Sequence, residues 1–185
     1  MSLSKKLALF SCLILGGSIT TSQAFSQPEG LYGTSCLPLE KLSAVKDVLL
    51  DNGHFEMIQT IFSDDACQVP AYDFAFTGRY TLDEEQGFLD LTFEDISLTA
   101  LDPRIASAFG ESELCGISQW THATPVVVND LSCGGQKIPA REAVVYEIIR
   151  ETAKGIELGS HSEPYSGDSP SQRPTSFEAV SYEAR

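Results

Sequence analysis

Apolar and polar residues alternate most regularly over residues 73–82. On an extended chain the apolar residues of this run share one face, which contains Phe74, Phe76, Tyr80 and Leu82. The other face is mostly polar. A period of two is typical of a half-buried β-strand, so we predict a strand here with its aromatic face towards the core.

A second alternating run, residues 88–94, follows a short acidic turn that ends in Gly87. Its apolar face contains Leu89, Leu91 and Phe93. Two alternating runs joined by a turn that contains glycine predict an antiparallel hairpin. The apolar phase shifts after Asp95, which predicts a β-bulge at that point.

Another hairpin is predicted from residues 45–50 and 54–62, because Asp51-Asn52-Gly53 separates these two apolar runs. Asn-Gly is the strongest short-range signal for a tight hairpin turn. A helix remains the alternative for the first run, since Leu39, Leu42, Val45 and Leu49 also fit a helical stripe.

The middle of the chain contains one clear helix signal. Asp102-Pro103 is typical of a helix start, so we predict a short helix through Phe109 that stops at Gly110. The valine-rich residues 124–131 that follow predict a strand.

A strand and a helix compete over residues 144–152. The run is dense in β-branched residues, which favours a strand, but Pro139 could open a helix and Gly155 could end it. We favour the strand, with a turn at Lys154-Gly155 leading into a further strand over residues 156–158.

The last part of the chain is punctuated by small and polar residues. Residues 159–176 are rich in Ser, Gly and Pro and predict a long loop, which is either a binding loop or a mobile one. Residues 177–182 then predict a closing strand.

Eight or nine short strands with small helical insertions predict a mainly β fold. No linker divides residues 25–185, so we expect one domain. A single closed antiparallel up-and-down barrel would bury one face of every strand and leave no exposed sheet edge. A barrel of this size is either filled by side chains or holds one small ligand.

The first 24 residues predict a signal peptide. Lys5 and Lys6 precede an apolar run, residues 7–17, that is much shorter than the ~20 residues needed to span a bilayer. Ser22-Gln23-Ala24 places small residues where signal peptidase reads them, so we expect cleavage after Ala24. The mature protein would then be periplasmic or secreted, with no membrane span.

Four cysteines remain after this cleavage, and an even number in an exported protein predicts disulfides. Three pairings are open. We favour Cys36–Cys67 and Cys115–Cys133, because sequential pairing closes short loops. The spacings of a metal site are absent from the sequence, so we expect no metal and no cofactor.

The formal net charge of −14 excludes whole classes of partner. Nucleic-acid binding needs a basic surface, which this composition does not supply. An acidic surface suits a basic protein partner. His54, His122 and His161 are far apart in sequence and have no nearby nucleophile motif, so we expect no catalytic residues and no enzyme activity.

The opening Gly30-Leu31-Tyr32-Gly33-Thr34-Ser35-Cys36 resembles the start of small exported bacterial lipocalin-like (calycin-type) proteins, which have a G-x-W/Y motif followed by Cys. Asp65-Ala66-Cys67 and Gly78-Arg79-Tyr80 are similar to later parts of that pattern. Lipocalins proper carry Trp where this chain has Tyr32. The resemblance implies a lipocalin-like barrel that carries an apolar ligand.

We therefore expect a non-enzymatic monomer that binds a small apolar or amphipathic ligand. The candidate ligand-binding residues are Phe74, Phe76, Tyr80, Leu89, Leu91, Phe93 and Trp120. Trp120 either packs over a disulfide or anchors a ligand at the barrel mouth. The alternative function is a periplasmic or secreted interaction or inhibitor module that uses acidic surface loops.

Overall fold

The computed structural model of the protein describes residues 28–185. The predicted signal peptide, residues 1–24, lies outside them. The strands are β1 (Gly30–Gly33), β2 (Leu37–Leu39), β3 (Leu42–Asp51), β4 (His54–Phe62), β5 (Pro70–Asp83), β6 (Phe88–Ala100), β7 (Val126–Val127), β8 (Ser132–Cys133), β9 (Gln136–Lys137), β10 (Val144–Glu151), β11 (Gly155–Leu158) and β12 (Tyr182–Ala184). Helix α1 is Pro103–Glu111, and single 3₁₀ turns lie at Leu114–Gly116 and Pro170–Gln172.

Antiparallel pairing connects β1, β3, β4, β5, β6, β10, β11 and β12 in chain order. Strand β1 pairs with both β3 and β12, with Tyr32 opposite Val48 on one side and Ala184 on the other. The pairings therefore close a ring of eight strands, and the fold is mainly β, as predicted. Among residues 28–185, no helix is long and apolar enough to cross a membrane.

Both predicted hairpins are confirmed, and their turns explain why. In the β3–β4 turn, Asn52 and Gly53 have φ values of 47° and 80°, and these two residue types adopt that region most easily. Between β5 and β6, Thr77 pairs with Asp95 and Gly78 with Phe93, which leaves Glu94 as the extra residue of the predicted bulge. Residues 39–49 are not helical, so the alternative for that run is wrong.

Residues 144–152 also form a strand, β10, and the competing helix is wrong. Residues 159–176 follow β11 as the predicted long loop, which we call the strap. Its backbone is tied to the ring by the Tyr146 N–H, which donates to the Gly167 carbonyl. Arg173 also anchors it, since its guanidinium lies 2.6 Å from Asp90 and 4.3 Å from the centre of the Phe88 ring.

Three predicted boundaries were wrong. Helix α1 runs through Gly110, where the lack of a Cβ allows close approach to the Ser118 carbonyl. Only Val126–Val127 of residues 124–131 is a strand, because Asp130 turns the chain with a φ of 63°. The closing strand begins at Tyr182 rather than at Phe177, whose ring lies under the Arg150 guanidinium.

The core fills much of the ring. Leu50, Ile96, Ile149 and Ile156 are at most 1% exposed, and Phe55 packs edge-on against Phe93 with ring centres 5.9 Å apart. Both favoured disulfides, Cys36–Cys67 and Cys115–Cys133, are confirmed. The second one joins the 3₁₀ turn at Leu114–Gly116 to β8.

Candidate ligand cavity inside the ring

A cavity of 230 Å³ is lined by residues of β3, β4, β5, β10, β11 and β12 and by His161 and Glu178 from the segments between β11 and β12. Its lining residues are of mixed character, and they are Lys46, Asp47, Met57, Ile58, Gln59, Phe76, Glu147, Leu158, His161, Glu178 and Tyr182. Charged and amide groups inside a small ring of strands are unusual, because burial of polar groups is costly without partners.

Glu147 faces the interior because it shares a strand face with Val145 and Ile149. It is only 5% exposed. Its Oε1 accepts hydrogen bonds from the N–H groups of Ile148 and Gly159, at 2.7 and 2.9 Å. Its Oε2 lies 2.7 Å from His161 Nε2. The buried carboxylate is therefore compensated by neighbouring donors, as a buried charge requires.

His161 is held as a cation by its two partners. Nδ1 lies 2.9 Å from the Ser166 carbonyl oxygen, which can only accept, and Nε2 lies against the Glu147 carboxylate. With Glu147 as the carboxylate, both ring nitrogens donate and the ring is imidazolium. The hydrogen bond to Glu147 and its negative charge raise the pKa of His161 to about 9, although burial opposes this. This ring has no lone pair left to act as a base.

Lys46 and Glu178 form a second pair in the same cavity. Lys46 lies on β3 between the inward-facing Ala44 and Val48, and its Nζ is 3.5 Å from Glu178 Oε2. Their side chains are 30% and 27% exposed. Because one hydrogen bond leaves other donors on the ammonium and other lone pairs on the carboxylate, both groups can bind a ligand as well.

Two further polar side chains line the cavity without a hydrogen-bonding partner among residues 28–185. They are the amide of Gln59 and the hydroxyl of Tyr182. Tyr182 is only 2% exposed. Burial and the charges of Glu178 and Glu147 raise the pKa of this hydroxyl, which keeps it protonated and able to donate.

The apolar side of the cavity is formed by Met57, Phe76 and Leu158. A second, apolar cleft of 290 Å³ lies next to it, beneath the segments that follow α1. Phe74 lines this cleft, and its ring centre is 4.4 Å from that of Phe76, so the two rings separate the spaces.

The ligand-binding residues predicted from the sequence lie in four different parts of the structure. Phe76 lines the cavity and Phe74 the adjacent cleft. Tyr80, Leu89, Leu91 and Phe93 are buried in the core cluster. Trp120 is half-buried beside α1, where its ring packs against Phe109 at 5.1 Å and Nε1 donates to the Ile117 carbonyl.

Sequence reasoning did not find the polar side of the cavity. It does not predict that the following side chains line a cavity: Lys46, Gln59, Glu147, His161, Glu178 and Tyr182. A usable signal existed for two of them, because Lys46 and Glu147 interrupt the apolar faces of their strands. Their partners could not be identified in this way, since His161 and Glu178 lie in irregular segments.

No family model matches this chain, and no curated protein matches it. Within residues 28–185, no group of three or more His, Cys, Asp or Glu side chains is arranged to hold a metal ion.

Proposed function

We propose that this protein is an exported, lipocalin-like barrel that binds a small amphipathic molecule inside its ring of strands. The observation that carries the proposal is the mixed lining of the cavity, where Met57, Phe76 and Leu158 occur together with Lys46, Gln59 and Glu178. Ligand sites are usually apolar with a few convergent polar groups. Two disulfides support export, because such bonds persist in oxidising compartments.

The size of the cavity limits the ligand. Sites for drug-sized ligands usually occupy about 300–1,000 Å³, and this cavity has 230 Å³. At ~30 Å³ for each liquid water, that volume equals the space of about eight waters. We therefore propose a ligand with on the order of ten non-hydrogen atoms rather than a long-chain lipid.

Binding without chemical conversion fits the geometry best. Both ring nitrogens of His161 donate hydrogen bonds. The Glu147 carboxylate accepts three hydrogen bonds, from the N–H groups of Ile148 and Gly159 and from His161. A general base needs a free lone pair within reach of the proton that it takes. The His161–Glu147 pair instead holds the start of the strap against the cavity.

Native mass spectrometry of the protein purified from its own cells tests this proposal. We expect an additional mass that disappears on denaturation. Met57→Trp should fill the cavity and abolish that mass, whereas Glu56→Trp, on the outer face of the same strand, should keep it. An unmodified protein that carries no additional mass and also binds no amphipathic probe of about ten non-hydrogen atoms would rule out the carrier function.

The alternative is a protein-interaction module, which one observation favours. A groove of 410 Å³ lies between the strap and the outer face of β6 and β10, lined by Phe88, Tyr165 and Phe177. Gln86 and Gly87, from the turn after β5, and Arg173 of the strap also line this groove. A pull-down that loses its partner in Tyr165→Ala, while ligand binding is unchanged, would support this function.

A further inference from the structure

The charges around the cavity are balanced in pairs, although the chain as a whole has a formal net charge of −14. Lys46 pairs with Glu178 and His161 with Glu147. Asp47, which also lines the cavity, pairs with Arg185 at 2.8 Å. The cavity is therefore locally neutral within an acidic protein.

A ligand with one charge would meet both signs in this cavity. An anion drawn to Lys46 would lie close to Glu178, and a cation drawn to Glu178 would lie close to Lys46, since these two groups are 3.5 Å apart. Like charges brought together in a partly buried site repel each other strongly. The pair therefore disfavours simple cations and simple anions.

We propose that the ligand is a small zwitterion with neighbouring ammonium and carboxylate groups, such as an α-amino acid with an apolar side chain. Lys46 would bind the carboxylate and Glu178 the ammonium. This inference rests on the proposed function, because it names the class of ligand for the same cavity. It excludes ligands that are purely apolar.

The remaining polar groups fit such a ligand. The Tyr182 hydroxyl and the Gln59 amide line the cavity and have no hydrogen-bonding partner among residues 28–185. Tyr182 therefore offers a hydroxyl and Gln59 an amide to a molecule in the cavity. A carboxylate between Lys46 and Tyr182 would accept from both, and Met57, Phe76 and Leu158 would contact the apolar side chain.

The Lys46–Glu178 ion pair can also be replaced by contacts between each of its members and the ligand. An α-amino acid carries its two charges on one carbon, a separation comparable with the 3.5 Å between Lys46 and Glu178. The ligand can therefore replace each partner of the existing pair with an equivalent charge. Glu147 and His161 are already saturated by their own hydrogen bonds, so they shape the cavity without competing.

Calorimetric titration with three matched probes tests the inference. L-leucine is the zwitterion, L-leucinamide the cation and N-acetyl-L-leucine the anion. We expect saturable binding of leucine, and binding weaker by about tenfold or more for each singly charged analogue. Equal binding of all three probes would overturn the inference.

Variants locate the site. Lys46→Met and Glu178→Gln should each weaken leucine binding by about tenfold or more. Lys137→Met and Glu183→Gln are controls that remove surface ion pairs elsewhere on the chain, and they should bind as the unmodified protein does. Leucine binding that survives both cavity variants would also overturn the inference.

The two proposals can fail separately. If leucine does not bind but the protein binds benzyl alcohol, a small uncharged amphipathic probe, and Met57→Trp excludes it, the zwitterion is wrong and the binding function stands. If neither the three leucine probes nor benzyl alcohol bind, both are wrong. A variant that does not fold leaves the three probes on the unmodified protein to decide.

Discussion

At the scale of single residues, Glu147 shows how a charged side chain can lie on the apolar, buried face of a strand. Its neighbours on the same face, Val145 and Ile149, are apolar. Two backbone N–H groups and the His161 ring satisfy the carboxylate. The departure itself is visible in the sequence, but the compensation is not, because Gly159 and His161 meet Glu147 only after the chain reverses at β11.

The His161–Glu147 pair makes stability depend on pH. The pKa of His161 is about 9 in the folded protein and ~6.5 in an unfolded chain. The raised value means that folding favours the protonated ring. The contribution to stability is therefore complete below pH ~6.5 and is lost as the pH rises through about 9.

His161→Gln should reduce the free energy of unfolding by about 1 kcal/mol below pH ~6.5, a figure that allows for solvent screening of this partly exposed pair. The difference from the unmodified protein should disappear above pH ~9. Chemical denaturation at a series of pH values measures it, with the exposed His54→Gln as control. A difference that stays constant with pH would contradict the assigned pair.

At the scale of elements, the long hairpins could be predicted because their signals are local. Alternation and the Asn52-Gly53 turn define β3–β4, and the phase shift near Asp95 identifies the bulge in β6. The short strands β1, β7 and β12 carry too few residues for a pattern. Their formation depends on neighbours that lie far away in sequence, such as Ala184 opposite Tyr32.

Gly78 is the position in β5 where a side chain would be least tolerated. A Cβ there would overlap the Thr92 carbonyl oxygen and lie 2.9 Å from the Phe55 ring. Gly78→Ala should therefore lower the free energy of unfolding by about 1–3 kcal/mol through overpacking.

The matched control for this change is Thr81→Ala, at an exposed position of the same strand. It should change stability by less than about 0.5 kcal/mol. Urea denaturation of both variants measures the difference. Equal stabilities for Gly78→Ala and the unmodified protein would show that β5 and β6 do not approach as closely as described.

At the scale of the whole molecule, ring closure creates the cavity. Lys46 and Glu178 are 132 residues apart in sequence, yet they meet because β1 pairs with both β3 and β12. Sequence analysis could predict a mainly β fold and the disulfides. It could not predict which polar residues converge, since that depends on how the strands are staggered around the ring.

The disulfides should contribute to stability by restricting the unfolded chain. Cys36 and Cys67 are 31 residues apart, and Cys115 and Cys133 are 18 apart. Loops of these lengths correspond to about 3–4 kcal/mol each in the chain-entropy model. The double variant Cys36→Ser/Cys67→Ser should lose about that amount in a denaturation experiment, and an unchanged midpoint would contradict this expectation.

The most direct test of the central claim, that a small molecule binds inside the ring, is methyl NMR of the methionines. Met57 lines the cavity, and Met1 is the only other methionine in the chain. On addition of a small-molecule extract from the cells that make the protein, the Met57 methyl signal should shift saturably. Any Met1 signal should stay in place. A Met57 signal that does not move at any extract concentration would contradict the account.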